Sequence, residues 1–369
     1  KRGLGRPMQA REALDLSAFN GVSLYEPEEL VMAAGAATPL AAIEAALAEK
    51  RQMLAFEPPD LAALWGGAAG AQTIGGVLAA NLAGPRRIKA GAARDHFLGV
   101  EAVSGRGERF KSGGRVVKNV TGYDLCKLIA GSHGTLAVMH AVTFKVLPAP
   151  EKTRTVLIHG LDAPAATRAM SAALTSPHEV SAAAHLPAAI AARSSVDLVR
   201  EPGRSITAIR IEGPAPSVEV RCAALRALLK APEELHGMRS GRLWREVRDV
   251  APLLPDPAVA IWRISVRPTD GAVLADALAP LSPEVYFDWG GGLLWFAAPV
   301  GGDAGARFIR EKVDALGGHA TLVRAPDAIR AAVPVFHPEP AGLAALARRV
   351  KDQFDPARIL NPGRIAADL

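Results

Sequence analysis

The chain has 369 residues, of which 49% are hydrophobic, and this length and composition predict a globular protein with two domains. Its net charge of +6 is spread along the chain, and only 5% of the residues are aromatic, so nucleic-acid binding is not expected. No run of about 18 apolar residues occurs, so the sequence predicts no transmembrane helix.

Two cysteines, Cys126 and Cys222, lie far apart and form neither a CxxC motif nor part of a metal-ligand cluster. Buried, reduced thiols are the simplest interpretation of such isolated cysteines. The sequence therefore predicts a cytoplasmic protein without a metal site. Peripheral attachment to the inner face of the cytoplasmic membrane stays open.

The N-terminal region alternates short apolar runs with turn residues. Three strands are predicted, in ALDLS, NGVSLYEPEE and LVMAAGA, with Asn-Gly and Glu-Pro as turn signals. Thr38 followed by Pro39 is typical of a helix N-cap and first turn. Apolar residues at spacings of three and four then predict an amphipathic helix over residues 39 to 51.

Residues 71 to 110 are rich in glycine and are predicted to be mostly loop, with a strand at LGVEAVS and a hairpin turn at Gly105 to Gly107. TIGG at 73 to 76 matches neither the P-loop nor the dinucleotide-binding spacing, and taken alone it is typical of an ordinary tight turn. KNVTGYDL and GSHGTL follow, before a β-rich run that ends at two prolines. A domain boundary near Pro150 is expected.

After Glu151 the sequence alternates strands and helices in two similar sets, one before and one after about residue 250. This alternation predicts an α+β two-layer domain, with helices on one face of an antiparallel sheet. The segment DWGGGLLWF is predicted to be a core strand with a glycine kink. A final helix, AGLAALARRVKDQF, precedes DPARILNPGR.

Five motifs occur in a fixed order: TIGG at 73, RD at 94, KNVTGYDL at 118, GSHGTL at 131 and DPARILNPG at 355. In this order they resemble the FAD-binding proteins of the vanillyl-alcohol oxidase type, the PCMH-type family. More narrowly, EPPD at 57, HLP at 185 and DWGGGLLWF at 288 resemble the FAD-binding E subunits of bacterial glycolate oxidases. The match covers residues 1 to 150 and the last dozen residues.

The resemblance implies an α+β fold with a PCMH-type FAD-binding domain at residues 1–150, a ferredoxin-like cap domain at 151–340, and a C-terminal segment at 341–369 that returns to the flavin. Family members begin with a βαβ-like segment and a GGGSK-type loop around the pyrophosphate. KRGLG resembles the end of that loop, so the N-terminal part of the domain is expected to be truncated here.

The resemblance also implies the cofactor-binding residues. Thr73, Gly75 and Gly76 are expected to line the flavin, and the main chain of Val138 to contact the adenine end. A loop of exposed N–H donors near an arginine suits a diphosphate and a planar ring. The remaining expected FAD contacts are Pro58, Arg94, Asp95, Tyr123 and Asn361. Asp124 would in addition stabilise a helix start.

By resemblance, the partners are a second FAD-binding glycolate oxidase subunit and an iron–sulfur subunit, and the substrate is a small 2-hydroxy acid. Such oxidation needs a base and a cation for the carboxylate. Histidines here are scattered singly, and a lone His185 or His319 is more typical of structure than of catalysis, so no catalytic residue is assigned. Arg263 and Arg324 are candidate carboxylate ligands, or interface arginines.

The expected function is that of a catalytic partner in glycolate oxidation. Two alternatives stay open: a non-catalytic structural and electron-relay subunit, and a stand-alone FAD-dependent 2-hydroxy-acid dehydrogenase. The absence of a paired histidine motif favours delegation of the chemistry to the second flavin subunit.

Overall fold

A computed structural model describes residues 3–115, 122–254, 256 and 258–369. Its β-strands, in chain order, are β1 Val22–Glu26, β2 Val31–Gly35, β3 Gln52–Met53, β4 Phe97–Ser104, β5 Arg109–Gly113, β6 Ala137–Lys145, β7 Leu147–Pro148, β8 Lys152–His159, β9 Ala182–Leu186, β10 Ile206–Gly213, β11 Glu233–His236, β12 Val259–Ser265, β13 Glu284–Asp288, β14 Leu293–Pro299 and β15 His319–Arg324.

The α-helices are α1 Leu40–Glu49, α2 Ile74–Ala79, α3 Arg87–Ala90, α4 Ala93–His96, α5 Leu125–Ile129, α6 Ala163–Leu174, α7 Ala188–Ala191, α8 Asp197–Arg200, α9 Ala215–Leu229, α10 Gly237–Arg248, α11 Gly271–Ala277, α12 Ala306–Asp314, α13 Asp327–Ala332 and α14 Ala341–Phe354. Short 3-10 helices lie at Ala62–Trp65, Ala251–Leu253, Pro268–Asp270, Ala279–Leu281 and Trp289–Gly291.

The described residues divide into two units. Unit 1 takes those within Lys1–Gly84, Gly91–Ala149 and Arg330–Leu369, and unit 2 takes those within Pro85–Ala90 and Pro150–Ile329. Unit 2 thus includes α3, a short piece of chain from between two elements of unit 1.

Unit 1 is built on a five-stranded antiparallel sheet in the order β1-β2-β6-β4-β5. Apolar residues at spacings of three and four on α1 are fully buried, as the periodicity predicted, and α2 and α5 contribute to the same core. In the same unit β3 and β7 pair as a separate two-stranded antiparallel sheet. The sheet with its helices is the α+β arrangement expected for the FAD-binding domain.

Unit 2 is one eight-stranded antiparallel sheet in the order β11-β8-β10-β9-β13-β14-β12-β15. The first four strands form one β-α-β-β-α-β motif with α6 and α9, and the last four form a second with α11 and α12. The two ferredoxin-like halves join where β9 meets β13, with His185 opposite Phe287. The repeated strand and helix pattern of the sequence is confirmed.

Helices cover both faces of this sheet, which differs from the expected two layers. Val156 on β8 packs in the core with α6 and α9, whereas the preceding Thr155 bonds Ser240 and Trp244 of α10. Neighbouring strand residues point to opposite faces. The segment that forms β11 and α10 was not assigned from the sequence, although the buried residues Ser240, Leu243, Trp244 and Val247 of α10 follow helical spacing.

Four local expectations were wrong. ALDLS is not a strand, because Asp15 accepts hydrogen bonds from the backbone and hydroxyl of Ser17 and closes a turn. Thr38 does not cap α1, since its hydroxyl donates to the carbonyl of Gly35 at 2.7 Å and the N-cap residue is Pro39. TIGG begins a helix rather than forming a loop. DWGGGLLWF is a hairpin, in which Trp289–Gly291 turns β13 into β14.

Among the described residues, no helix combines the length and the apolar character that crossing a bilayer requires.

Candidate functional site

The TIGG motif forms the start of α2 in unit 1. The Thr73 hydroxyl caps the helix by accepting the N–H of Gly76 at 3.3 Å. The N–H groups of Ile74 and Gly75 donate to the carbonyls of Thr38 and Ala36. These donors are therefore used within the chain, which differs from the expected turn of exposed N–H groups.

The two glycines of the motif have different surroundings. A Cβ on Gly75 would lie 2.7 Å from both the Cβ and the carbonyl oxygen of Ala36, so this glycine is required for packing. Gly76 is partly exposed, while its neighbours on α2 are buried. Gly76 is thus the motif glycine with an accessible face.

The other end of α2 contacts the GSHG loop. His133 donates its N–H to the carbonyl of Ala79 at 2.8 Å, and Gly131 donates to Leu78 at 3.2 Å. His133 and Gly134 both have positive φ, which lets the loop turn back toward the helix. TIGG and GSHG, which are far apart in the sequence, therefore lie at opposite ends of one six-residue helix.

Arg94 and Asp95 are exposed and hold α4 in place. Arg94 donates its backbone N–H to the side chain of Asn81 and its Nε to the carbonyl of Lys127, both at 2.9 Å. Lys127 donates in return to the Arg94 carbonyl. The Asp95 carboxylate accepts the N–H of Ala92 at 2.7 Å. Both residues have local structural functions, and their contact with FAD stays a prediction.

Tyr123 and Asp124 precede α5. Asp124 caps this helix by accepting the N–H of Lys127 at 3.2 Å, as its position at a helix start predicted. Tyr123 has 88% of its surface exposed, so its ring is accessible to a ligand of this unit. The KNVT part of the motif lies outside the described residues.

Pro58 and Val138 lie at different places in unit 1. Pro58 is buried next to Glu57, which has a positive φ of 50°. Val138 pairs with Val103 of β4. On the other side of β6, the described pairing with β2 begins only at Ala141. The main chain of Val138 is therefore paired with β4 on one side and is not part of the described β2 pairing on the other.

The C-terminal segment binds the GSHG loop. Asn361 donates its side-chain N–H to the carbonyl of His133 at 2.8 Å. Lys351, on α14, is buried and donates to the carbonyls of Thr135 and Leu360 and to the Asp355 carboxylate at 2.6 Å. Asn361 is thus connected through His133 and Ala79 to α2, and the return of this segment to the flavin stays a prediction.

Asp355 organises the ILNPG turn. Its carboxylate accepts the N–H groups of Ile359 and Leu360 as well as the Lys351 ammonium. Burial alone would raise the pKa of Asp355, but these hydrogen bonds outweigh it, and the pKa is lowered. The ionised carboxylate is therefore the stable form in the fold.

Three buried arginines of unit 1 donate to backbone carbonyls of residues 3 to 6 and 331 to 333, and sequence reasoning missed them. Arg330 donates to the carbonyls of Gly3 and Gly5, and Arg364 to those of Leu4 and Arg6. Arg6 itself donates to the carbonyls of residues 331 and 333. Burial, and secondarily the charge of Arg330, lower the pKa of Arg364. The clustered positive charge suits a diphosphate.

Two buried polar atoms of unit 1 also fit a bound cofactor. The Ser132 hydroxyl, within GSHG, has no hydrogen-bond partner among the described residues, and neither has the indole N–H of Trp65. Buried polar groups without partners are rare unless a ligand satisfies them. Trp65 packs on Gly3, where a Cβ would lie 2.5 Å from the ring. The sequence did not reveal these two residues, because the burial of a hydroxyl or an indole N–H depends on tertiary packing.

The candidate base and cations lie in unit 2. His185 is buried, its Nδ1 is 2.9 Å from the Thr207 hydroxyl, and burial lowers its pKa to about 4. This supports the structural interpretation of His185, while His319 is exposed on β15. Arg324 donates to the carbonyls of Asp256 and Val259. No metal-binding cluster of histidine, cysteine or carboxylate residues occurs in the described ranges.

Comparison with known proteins relates the chain to FAD-binding proteins. The FAD binding domain family matches residues 4–113. Glycolate oxidase subunit GlcE of Escherichia coli (strain K12) is 34% identical over 372 residues, covering 100% of this chain and 91% of the relative. Glycolate oxidase subunit GlcD of Bacillus subtilis (strain 168) is 39% identical over 114 residues, which cover 30% of this chain and 23% of GlcD.

A solved structure with the same fold is 4-ethylphenol oxidase from Gulosibacter chungangensis. Its TM-score is 0.67 at 15% identity, and the alignment covers 96% of this chain and 79% of the oxidase. At this identity the likeness shows the fold alone.

Proposed function

The chain belongs to the family of the glycolate oxidase subunit GlcE and is an FAD-dependent oxidoreductase, and from this premise we propose that it is the FAD-binding subunit of a glycolate oxidase. In that role it takes part in the oxidation of glycolate, a 2-hydroxy acid, to glyoxylate. The observation that carries the proposal is the likeness to GlcE over the whole chain, together with the hydrogen bonds that join TIGG, GSHG and NPG in one unit.

In unit 1, α2 and its neighbours would hold the cofactor. The accessible face of Gly76 and the exposed ring of Tyr123 would contact FAD, with the Ser132 hydroxyl as a donor or acceptor. The cluster of Arg6, Arg330 and Arg364 would neutralise the diphosphate. Bound FAD would supply a two-electron acceptor.

The remaining predicted contacts form part of the same proposal. Thr73 and Gly75 would shape the turn beneath the cofactor, since their own groups are used in the chain. Asn361 would hold the GSHG loop in position. The set is completed by FAD contacts of Pro58, Arg94, Asp95 and the Val138 main chain.

We place the base for the hydroxyl proton outside this chain. His185 is neutral and already bonded to Thr207, and a buried imidazole with a pKa of about 4 is a weak base. Electrons would leave through an iron–sulfur subunit, and the second flavin subunit would supply the missing catalytic groups. Both thiols of this chain, Cys126 and Cys222, are free and buried, so they suit a reducing cytoplasm and not a cluster.

A spectroscopic reconstitution tests the proposal. The full chain is purified with FAD, and its visible spectrum is recorded before and after glycolate. We expect flavin absorbance from the chain alone, little bleaching by glycolate, and dye reduction once a GlcD-type subunit and an iron–sulfur subunit are added. Equal turnover without partners would indicate a stand-alone dehydrogenase, and absence of flavin from this chain itself, in a complex that still oxidises glycolate, would indicate a structural subunit.

A further inference from the structure

Unit 2 contains two arginines that share one tryptophan. The guanidinium carbons of Arg87, on α3, and Arg263, on β12, each lie 4.9 Å from the ring centroid of Trp289. They are therefore no further apart than twice that distance. Stacking on an aromatic ring is favourable for arginine, but it leaves the N–H donors at the edge of each guanidinium unused.

Neither guanidinium has a hydrogen-bond acceptor or an ion-pair partner in the part of unit 2 that the structure describes. The neighbouring Arg86 differs, because it binds the Glu212 carboxylate through two N–H groups at 2.9 and 3.0 Å. Arginines that are withdrawn from solvent are normally paired. Arg87 and Arg263 are both only partly exposed, so an anion is the expected acceptor for their unused guanidinium N–H groups.

The electrostatics of the pair agree with this need. Burial, together with the positive charge of Arg87, lowers the pKa of Arg263 to about 10, and Asp288 only partly offsets the effect. Two positive charges are thus opposed by one carboxylate, which leaves net positive charge beside Trp289. A bound anion would relieve the repulsion between the two guanidinium groups.

A hydrogen bond and close packing hold the Trp289 turn in place. Trp289 has a φ of 53°, a strained value for a bulky residue, and donates its N–H to the Asp288 carboxylate at 2.7 Å. The hairpin turn packs on the first residue of α11, where a Cβ on Gly271 would lie 2.1 Å from the carbonyl oxygen of Gly291. The bond from Arg86 to Glu212 fixes the start of α3 in the same way.

We propose that Arg87 and Arg263 form a carboxylate-binding site beside Trp289, and that its ligand is the carboxylate of a small 2-hydroxy acid. A guanidinium fork matches the two oxygens of a carboxylate, and the limited exposure of the pair favours a small ligand. The assignment of glycolate as the physiological ligand rests on the proposed function. The carboxylate site itself rests on the arginine pair.

Three substitutions test the site: Arg87→Gln, Arg263→Gln and Arg263→Lys. Arg267→Gln is the matched control, because Arg267 is 73% exposed and already paired with Asp270 at 2.7 Å. Binding of glycolate and of oxalate to the full chain is measured by titration calorimetry. The KM and kcat for glycolate are measured in the complex with its partner subunits.

Loss of either guanidinium is expected to weaken oxalate and glycolate binding by about tenfold to a hundredfold, the usual effect of removing a charge-assisted hydrogen bond. KM should rise more than kcat falls, flavin content should stay normal, and Arg267→Gln should match the wild type. Arg263→Lys should bind more weakly than the wild type, since an ammonium lacks the fork.

The possible outcomes separate the two proposals. If the complex does not oxidise glycolate but the arginine variants lose oxalate binding, the site stands and the proposed function fails. If the complex is active and both glutamine variants keep the wild-type KM and affinities, the site is refuted. Absence of carboxylate binding in the wild type, with unchanged KM in the variants, refutes it as well. Should Arg263→Gln fail to fold, Arg87→Gln decides.

Discussion

Gly75 and Gly76 are adjacent in sequence, but the structure assigns them different tasks. Gly75 packs against the main chain of Ala36, with no room for a Cβ. Gly76 is on the more accessible side of α2. One glycine therefore serves packing, and the other is available for the cofactor.

Substitution of each glycine should separate these tasks. Gly75→Ala is expected to destabilise the chain by about 1 to 3 kcal/mol, as overpacking against backbone usually does. Gly76→Val should leave unit 2 folded and stability nearly unchanged but abolish flavin binding. Urea denaturation and the visible spectrum of the purified variants check this. Normal flavin content in Gly76→Val would show that the helix face is wrongly assigned.

His185 should make the protein sensitive to acid. Its pKa is about 4 in the fold against 6.5 in an unfolded chain, so the unfolded state binds more protons between these values. Stability is therefore lost as the pH falls from about 6.5 toward 4, by about 2 kcal/mol at pH 5.

Because carboxylates lose stability in the same direction, the test needs a variant. The drop in unfolding free energy from pH 7 to pH 5 should be about 2 kcal/mol smaller in His185→Gln than in the wild type. Denaturant titrations at both pH values measure the difference. An equal drop in the two proteins would mean that His185 keeps an ordinary pKa in the fold.

At the level of elements, α14 and the ILNPG turn are joined by one buried ion pair. Lys351 and Asp355 have 3% and 0% of their side chains exposed. The pair lies one helical turn apart at the end of α14, and the lysine continues to the Thr135 carbonyl. The buried ammonium of Lys351 therefore holds the C-terminal segment to the GSHG loop.

Breaking this pair should be costly. Lys351→Met leaves the Asp355 carboxylate buried without its cation, and we expect a loss of about 3 to 5 kcal/mol. Adding Asp355→Asn removes that charge and keeps one acceptor for the N–H groups of residues 359 and 360, so the double variant should be more stable than the single one. Thermal unfolding of both variants measures this. If the double variant is the less stable, the buried charge is not the cause.

At the level of the whole molecule, cofactor binding and carboxylate binding are assigned to different units. FAD contacts are proposed in unit 1, around α2, GSHG and the C-terminal turn. The arginine pair lies in unit 2, whose sheet has its own core. The two ligands should therefore protect different parts of the backbone.

Hydrogen exchange can detect this division. FAD should slow amide exchange in residues 73–81, 131–138 and 355–364, because ligands stabilise the elements they bind. Oxalate should instead slow exchange in residues 86–90 and 286–293. Exchange is measured on the full chain with each ligand alone. Protection of the residues 152–159 and 206–213 by FAD, without protection of α2, would contradict the assigned cofactor unit.

The amino-acid sequence by itself determined the family, the cofactor and most elements of this protein. Those properties depend on local periodicity, as in α1 and α14, or on the order of short motifs such as TIGG and GSHGTL. Asp124 at a helix start was predictable for the same reason, because capping depends on residues three positions apart.

Only the tertiary structure decided which backbone N–H groups and arginine side chains form hydrogen bonds within the chain and which are available to a ligand. TIGG was predicted as a loop, yet its N–H groups bond the carbonyls of Ala36 and Thr38, far away in the chain. Arg6 is joined to Arg330 and Arg364 across more than 300 positions of the sequence, and Arg87 to Arg263 across 176. Burial and charge neutralisation depend on such long-range contacts, so spacing along one chain could not reveal them.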